Sequence, residues 1–554
     1  MKPGIEILHR EGALSDLDLH FARTMGELAG ESRPLVLLGA AAASRFTGEG
    51  HVCAPLKQLA GAPIRTSRGG DIEGLFWPDE ELWLVELMSS SLVGDGSRPT
   101  PLVLEDDRLY LTRYWRYEQR LAALLNERAG LADKSKLAII SGGPGTGKTS
   151  TVVRILAALI EQSRPDHPLP RVLMMAPTGK AAARLAESIR NAKAATGPGA
   201  LTCAQQIKED IPEEATTIHR ALGFRPDRPT RFRHDRENPL SADMVVVDEA
   251  SMIDLALLTK LLDAVPANAR LVLLGDRDQI ASVEAGAVFG DICEAGPKEN
   301  IVHLTHSYRF ETSSGIGNLA QAINTGGVDD ALLSLTQGTL EGVDFIEIQN
   351  RVEVRRTIEP FVLENYVPCF EAGTPSERLG LFNNFRILCA HREGLFGAAG
   401  LNRLVEEILR EADYLPPFAN WYDGRPILIT HNDHQLGLFN GDTGLVCRAG
   451  PGSRELTAAF DVGADGPRTI SLSRLPSCET AFAMTVHKSQ GSEFDHVAVV
   501  LPENPSPVIT RELLYTAVTR AKKHVTLIGP RHVIAHAIKT RVERISGLKQ
   551  LLRP

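Results

Sequence analysis

Eight residues, "GGPGTGKT" (142–149), have the spacing G-x-x-x-x-G-K-[ST] and the residue types needed to hold a polyphosphate. The glycines at Gly142, Gly143, Gly145 and Gly147, with Pro144 and Thr146 among them, let backbone N–H groups curl around phosphate oxygens. Lys148 can then bridge the β and γ phosphates, and the Thr149 hydroxyl suits a magnesium ion. Further along, "VVVDEAS" ends an apolar run in Asp248 and Glu249. The first carboxylate suits hydrated magnesium, and the second can orient and deprotonate an attacking water. "LLGDRDQ" ends in Gln279, whose amide can hydrogen-bond either the γ phosphate or that water. This set points to hydrolysis of a nucleoside triphosphate, because transfer to a bound small molecule needs no water-activating glutamate. Two arginines complete it: Arg309 in "HSYRF" and Arg520 in "LLYTAVTRAKKH". An arginine finger contributes on the order of 10³–10⁵ in rate, about 4–7 kcal/mol of barrier. If Arg520 comes from a second lobe, that contribution exists only when the lobes close over ATP, which couples chemistry to motion.

The elements that must position these residues are visible as short apolar runs. "LAII", "RVLMM", "MVVV" and "RLVLL" each precede a polar cluster and alternate with helical stretches such as "TVVRILAALIEQ". Fully buried parallel strands look like this, and ligands of open α/β sheets bind beyond the carboxyl ends of the strands. Four runs delivering their unusual residues to one edge predict one composite site. The pattern recurs in "FRILCA" (385–390), "GRPILIT" (424–430), "DHVAVV" (495–500) and "KHVTLI" (523–528), which predicts a second α/β sheet. Residues 435–475 read as short β segments with N-G and D-G turns, a small β insertion.

At 554 residues the chain exceeds one core, and domain sizes suggest roughly three or four. Its net charge of −9 is uneven: residues 1–110 carry 10 basic and 17 acidic side chains, leaving 50 against 52 elsewhere. The N-terminal region is therefore poorly suited to gripping phosphate backbones. Seven scattered cysteines without C-x-x-C pairs suggest reduced thiols rather than a zinc site. The N-terminus lacks a signal-peptide pattern, and the longest apolar run, "PLVLLGAAAA" (34–43), is about half of a membrane span. The expectation is a cytoplasmic protein without a membrane partner.

In order and wording the clusters resemble the motifs of a superfamily 1B DNA helicase of the RecD type. "GGPGTGKT", "APTGKAAARL", "TTIHRALG", "VVVDEASM", "LLGDRDQIASVEAG", "SYRF", "AMTVHKSQGSEFD" and "LYTAVTRAK" look like motifs I, Ia, Ib, II, III, IV, V and VI. "LDLHFARTMGEL", "GEGHVCAPLKQLAG" and "GRPILITHNDHQLGLFNGDTG" narrow the likeness to the alpha subunits of exodeoxyribonuclease V (RecBCD). The resemblance implies an α/β fold of two RecA-like, parallel-sheet P-loop motor domains with an SH3-like β insertion. It places a mainly helical partner-docking domain at 1–110, the first motor at 111–330, the second at 331–434 and 476–554, and the insertion at 435–475. It implies an ATP- and Mg²⁺-dependent 5′-to-3′ motor on single-stranded DNA, in a bacterial heterotrimer with RecB-like and RecC-like subunits that processes double-strand breaks. The alternatives are a stand-alone helicase of the same type and an ATP-gated scaffold.

Carried onto matching positions, the resemblance makes Lys148, Thr149, Asp248, Glu249, Gln279, Arg309 and Arg520 the ATPase site, with Gly491 and Glu493 touching nucleotide or relaying its state. DNA phosphates would meet Pro177, Thr178, Thr217, His219, Thr485, His487 and Ser489, contacts that position a strand without reading it. Phe224, Phe439 and Tyr515 are candidate base stackers. One departure stands out: the stretch "LLNERAGLADKSKLAIISGG" has no adenine-reading glutamine before the phosphate loop, and Gln119 is the nearest upstream. No further cluster of acids and lysine suits a nuclease, so DNA cutting is expected of a partner.

Overall fold

The computed structural model describes residues 4–67, 69–130, 136–163, 168–196, 200–225, 227–228, 230–309, 314–417, 419–433, 435–450, 453–461 and 466–552. All four of the first apolar runs are strands of one sheet, ordered Ile301–Leu304, Leu137–Gly142, Arg270–Gly275, Met244–Val247, Val172–Ala176, Thr216–Thr217. Every pairing in it is parallel. Alternation along the strands sends Ile139, Val245, Val247, Leu271 and Leu273 into one core, while Ile140, Val246, Val272 and Leu274 enter another. Helices cover both faces, which is why the runs are apolar at every position rather than every second one. Each such Val, Leu or Ile contributes roughly 1.5–3 kcal/mol on burial.

The second sheet is also parallel throughout, ordered Val343–Ile346, Ala521–Ile528, Phe494–Val500, Phe385–Cys389, Ala483–Thr485. The expectation that 424–430 supplies one of its strands is corrected. Pro426–Ile429 instead pairs antiparallel with Thr443–Arg448 and Cys478–Thr480, inside a separate five-stranded sheet that continues through Leu456–Phe460 and Arg468–Ser471. The insertion thus starts earlier and ends later than the turn signals at 435–475 suggest. An apolar run of four declares burial, and it does not declare the direction of its neighbour.

The N-terminal region combines the helices Asp16–Ala29, Pro34–Gly48 and Glu80–Met88 with a small four-stranded sheet. Ser15 starts the first of these helices with a capping box closed by Asp18. The run 34–43 lies in the Pro34–Gly48 helix, nearly all of it buried. Among the described residues no helix is long and apolar enough to cross a membrane.

The last segment also departs from expectation. The helix Arg531–Lys539 packs in the second lobe through Val533, Ile534, Ala537 and Ile538. Val542 N still donates to Glu512 Oε2 of the second lobe at 3.0 Å, but from Arg544, whose Nη1 donates to Gly286 O at 3.3 Å, the chain packs on the first lobe, so residues 544–552 do not belong to the second motor. Ile545 exchanges hydrogen bonds with Val52 N (2.8 Å) and His51 Nδ1 (3.0 Å), and Gly547 N donates to Glu118 Oε1 at 2.9 Å. The helix Leu548–Leu552 then buries Leu548 and Leu552 in the core beside Leu121, Leu125 and Ile292. Two leucines four residues apart need an apolar trough, and the helices Thr112–Ala129 and Val288–Ala295 provide it.

Candidate active site between two parallel sheets

The phosphate loop joins the Leu137–Gly142 strand to the helix Lys148–Ser163. Gly145 and Gly147 have φ of 76° and 80°, a region that favours glycine. A Cβ at Gly145 would also stand 2.2 Å from Arg309 Cβ, so the loop needs glycine there for space as well. Arg309 is placed by its neighbours: Tyr308 N donates to Gly145 O at 2.8 Å, and Ser307 Oγ donates to Pro144 O at 3.1 Å. Lys148 Nζ donates to Gly142 O at 2.5 Å and Gly143 O at 3.1 Å, which holds the ammonium over the loop.

Across from the loop, the Met244–Val247 strand ends at Asp248 and Glu249. Glu249 has φ of 53°, a left-handed conformation costing about 1–3 kcal/mol for a residue with a Cβ. That turn brings its carboxylate into the cleft, and Glu249 N donates to Asp248 Oδ1 at 2.9 Å. Burial, with Glu249 adjacent, raises the Asp248 pKa to about 6 against the pull of Lys148 and Arg184.

Between the lobes lies a cleft of about 840 Å³. The phosphate loop from Pro144 to Thr149, Asp248, Glu249, Gln279 and Arg309 line it together with Glu493 and Arg520. Arg520 follows the helix Arg511–Val518 and is only 2% exposed; its Nε donates to Thr516 O (3.3 Å) and its Nη1 to Ser492 O (3.2 Å). Burial lowers its pKa, while the carboxylates of Glu249 and Glu493 act to raise it. Glu493 accepts from Arg309 Nη2 at 2.7 Å and pairs with Arg184. Burial works to raise the Glu493 pKa, yet the surrounding arginines hold it at about 2.

The structure therefore gathers all five expected catalytic residues, Thr149, Asp248 and Glu493 around one space. Gly142 and Gly143 line a second hollow on the other side of the loop, with Asp276 and Tyr515. Gly491 lies outside the cleft lining and faces Ala181 instead. Gln119 is turned away as well, donating to Glu105 Oε1 at 3.0 Å. Residues 131–135 of the stretch before the phosphate loop lie outside the described residues.

Sequence reasoning missed the link between the lobes. Asp276, 1% exposed, accepts from Tyr515 Oη at 3.0 Å and from Gln279 Nε2 at 3.2 Å. Ile280 N donates to Thr516 Oγ1 and Ile280 O accepts from Gln490 Nε2, both at 3.0 Å. Tyr515 is thus no base stacker, because its ring is buried and its hydroxyl is committed to a carboxylate. The one available signal was that a buried tyrosine needs a partner for its hydroxyl.

The candidate DNA contacts divide. Thr178, Thr217 and Thr485 each cap a helix, accepting from Ala181 N, Arg220 N and Lys488 N. Pro177 precedes the first of these caps. His219 meets Phe224 and Phe232 edge-on at 6.4 Å and 5.7 Å, and burial lowers its pKa and that of His487. Phe439 packs over Gly179, bringing the β insertion against the first lobe. Ser489 is corrected: it is fully buried and donates to Val486 O at 2.7 Å, so its hydroxyl cannot reach a phosphate.

Thr149 and Asp248 fit a magnesium ion, which takes few protein oxygens and completes its shell with water and phosphate. Such an ion would neutralise charge on the phosphates. Because Asp248 must be ionised to hold such an ion, and burial beside Glu249 favours its neutral form, Mg²⁺ binding here is expected to weaken as pH falls, with excess Mg²⁺ restoring it. A Mg²⁺ titration at pH 5.5 and 7.5 checks this.

Three family models match the chain: "RecBCD enzyme subunit RecD, N-terminal domain" over residues 10–110, "AAA domain" over 126–285 and "UvrD-like helicase C-terminal domain" over 480–528. RecBCD enzyme subunit RecD of Mycobacterium tuberculosis H37Rv is 40% identical over 584 residues, covering 99% of this chain and 96% of the relative. Its counterpart in Mycolicibacterium smegmatis is 40% identical over 98% of both chains. The ATP-dependent RecD2 DNA helicase of Deinococcus radiodurans is 32% identical over 72% of this chain and 47% of its own.

Proposed function

The chain belongs to the RecBCD enzyme subunit RecD family, and from that premise we propose that it is the ATP-dependent DNA helicase subunit of a RecBCD-type complex. It hydrolyses ATP to move 5′ to 3′ along single-stranded DNA, with RecB-like and RecC-like partners, in double-strand-break repair and recombination. One observation carries the motor reading: Arg520 of the second lobe lies in the cleft that holds Lys148 and Glu249 of the first.

Glu249 takes the proton of the attacking water, Gln279 orients that water or the γ phosphate, and Lys148, Arg309 and Arg520 face the charge that develops. Glu249 and Arg520 stand on different sheets, so turnover depends on their approach, and loss of the γ phosphate removes what draws them together. The hydrogen bonds that Tyr515 and Gln490 donate to the Asp276–Ile280 loop, and the one that Thr516 accepts from it, pass that change between lobes. DNA runs over the caps at Thr178, Thr217 and Thr485.

The helix Glu80–Met88 supports partner docking through the N-terminal domain. Trp83 and Leu87 are buried on its inner side, yet Val85 and Met88, three residues apart, are 65% and 71% exposed. With Leu82, also exposed, they form an apolar patch on a helix that otherwise shows Glu80, Glu81 and Glu86; grouped exposed apolar side chains mark an interaction surface, and we assign the cover to the RecC-like subunit. Val85→Asp with Met88→Asp is expected to abolish co-purification with the partners while the isolated chain keeps its nucleotide binding.

The deciding experiment measures ATPase and unwinding, with and without single-stranded DNA, for the isolated chain and the reconstituted complex. DNA-stimulated turnover in the complex is the expected result. Unwinding by the chain alone, unchanged by partners, favours a stand-alone helicase; assembly without any turnover sinks the motor reading.

A further inference from the structure

The cleft contains an arginine that lies within the stretch "APTGKAAARL" but has been given no role. Arg184 sits in the helix Gly179–Ala194, six residues beyond the Thr178 cap, and its side chain lines the cleft with Lys148, Asp248 and Glu249. It pairs with Glu493, which reaches across from the second lobe and also holds Arg309. Its side chain is 34% exposed, so it is reachable from the cleft rather than sealed beneath it. Burial opposes its charge, and Glu493, Glu249 and Asp248 more than offset that, which places all three carboxylates close by.

Five cationic side chains face three carboxylates around this space. That excess suits a polyphosphate, but Glu493 beside the arginines is a competitor for it. A terminal phosphate offers more oxygens and more charge than a carboxylate, and a guanidinium can fork two N–H groups onto it. We propose that Arg184 is a γ-phosphate ligand, exchanging its ion pair with Glu493 for the terminal phosphate when ATP occupies the cleft. The exchange breaks one charged link between the lobes as ATP makes others, so Arg184 tells ATP from ADP and reports the difference to Glu493. This rests on the ATPase reading above.

The test compares Mg²⁺-ADP with a non-hydrolysable Mg²⁺-ATP analogue, titrated into the full-length protein and its Arg184→Gln variant. Losing a charge-assisted contact made only to the third phosphate is expected to weaken the analogue about tenfold to a hundredfold. ADP affinity should stay within about twofold. Arg184→Lys, which keeps the charge without the fork, should recover part of the analogue's affinity and serves in the same comparison if the glutamine variant does not fold. Equal losses for both nucleotides, or no loss for either, would overturn the proposal and leave Arg184 as an inter-lobe ion pair. Absence of ATP turnover by the unaltered complex would instead sink the ATPase reading itself.

Discussion

A complex carrying Lys148→Gln is expected to hydrolyse no ATP above background, with or without single-stranded DNA, and still to assemble. The ammonium is held over the phosphate loop by the carbonyls of Gly142 and Gly143, so it meets incoming phosphate without first being ordered. A glutamine amide is shorter and carries no charge to offset what develops on the transferring group. Assembly survives because Lys148 lies in the cleft, far along the chain from the exposed face of Glu80–Met88. Size-exclusion chromatography beside a phosphate-release assay reads both halves. Loss of assembly, with no turnover in the unaltered protein, would favour an ATP-gated scaffold.

Arg520→Ala is expected to cut turnover by about 10³, some 4 kcal/mol of barrier, while ATP affinity changes far less. The guanidinium is poised by Thr516 O and Ser492 O, both in the second lobe, and it faces the space beside Glu249. Its stabilisation is therefore delivered across the cleft. Single-turnover hydrolysis separates this from a binding defect, and Arg520→Lys should regain little, since an ammonium lacks the planar fork. A nearly normal rate for Arg520→Ala would remove the coupling of chemistry to lobe movement.

Much of this is legible in the sequence. Asp248 and Glu249 end one apolar run and Gln279 follows the end of another by four residues, and a run buried on both faces forces the polar residues after it to the sheet edge. Arg520 could be nominated because the chemistry demands a cation and the chain offers a second sheet. Other features depend on partners that local sequence does not encode. "PILI" is as apolar as "RILC", and only its neighbours at 443–448 and 478–480 make it antiparallel. Ser489 stands among plausible phosphate ligands and spends its hydroxyl on Val486 O. Arg184 stands in the stretch "APTGKAAARL", and nothing in that stretch announces a cleft residue until Glu493 is seen opposite it. The Asp276–Tyr515 pair joins residues far apart in sequence, each unremarkable alone.

The return of Leu548 and Leu552 to the trough beside Leu121 and Leu125 bears on how the molecule is made. On the ribosome the first lobe emerges early, yet the residues that seal its core are synthesised only after the entire second lobe. Its nascent form must wait with apolar surface uncovered, a window in which a chaperone would be expected to bind, and a premature stop before Leu548 would leave that surface bare for good.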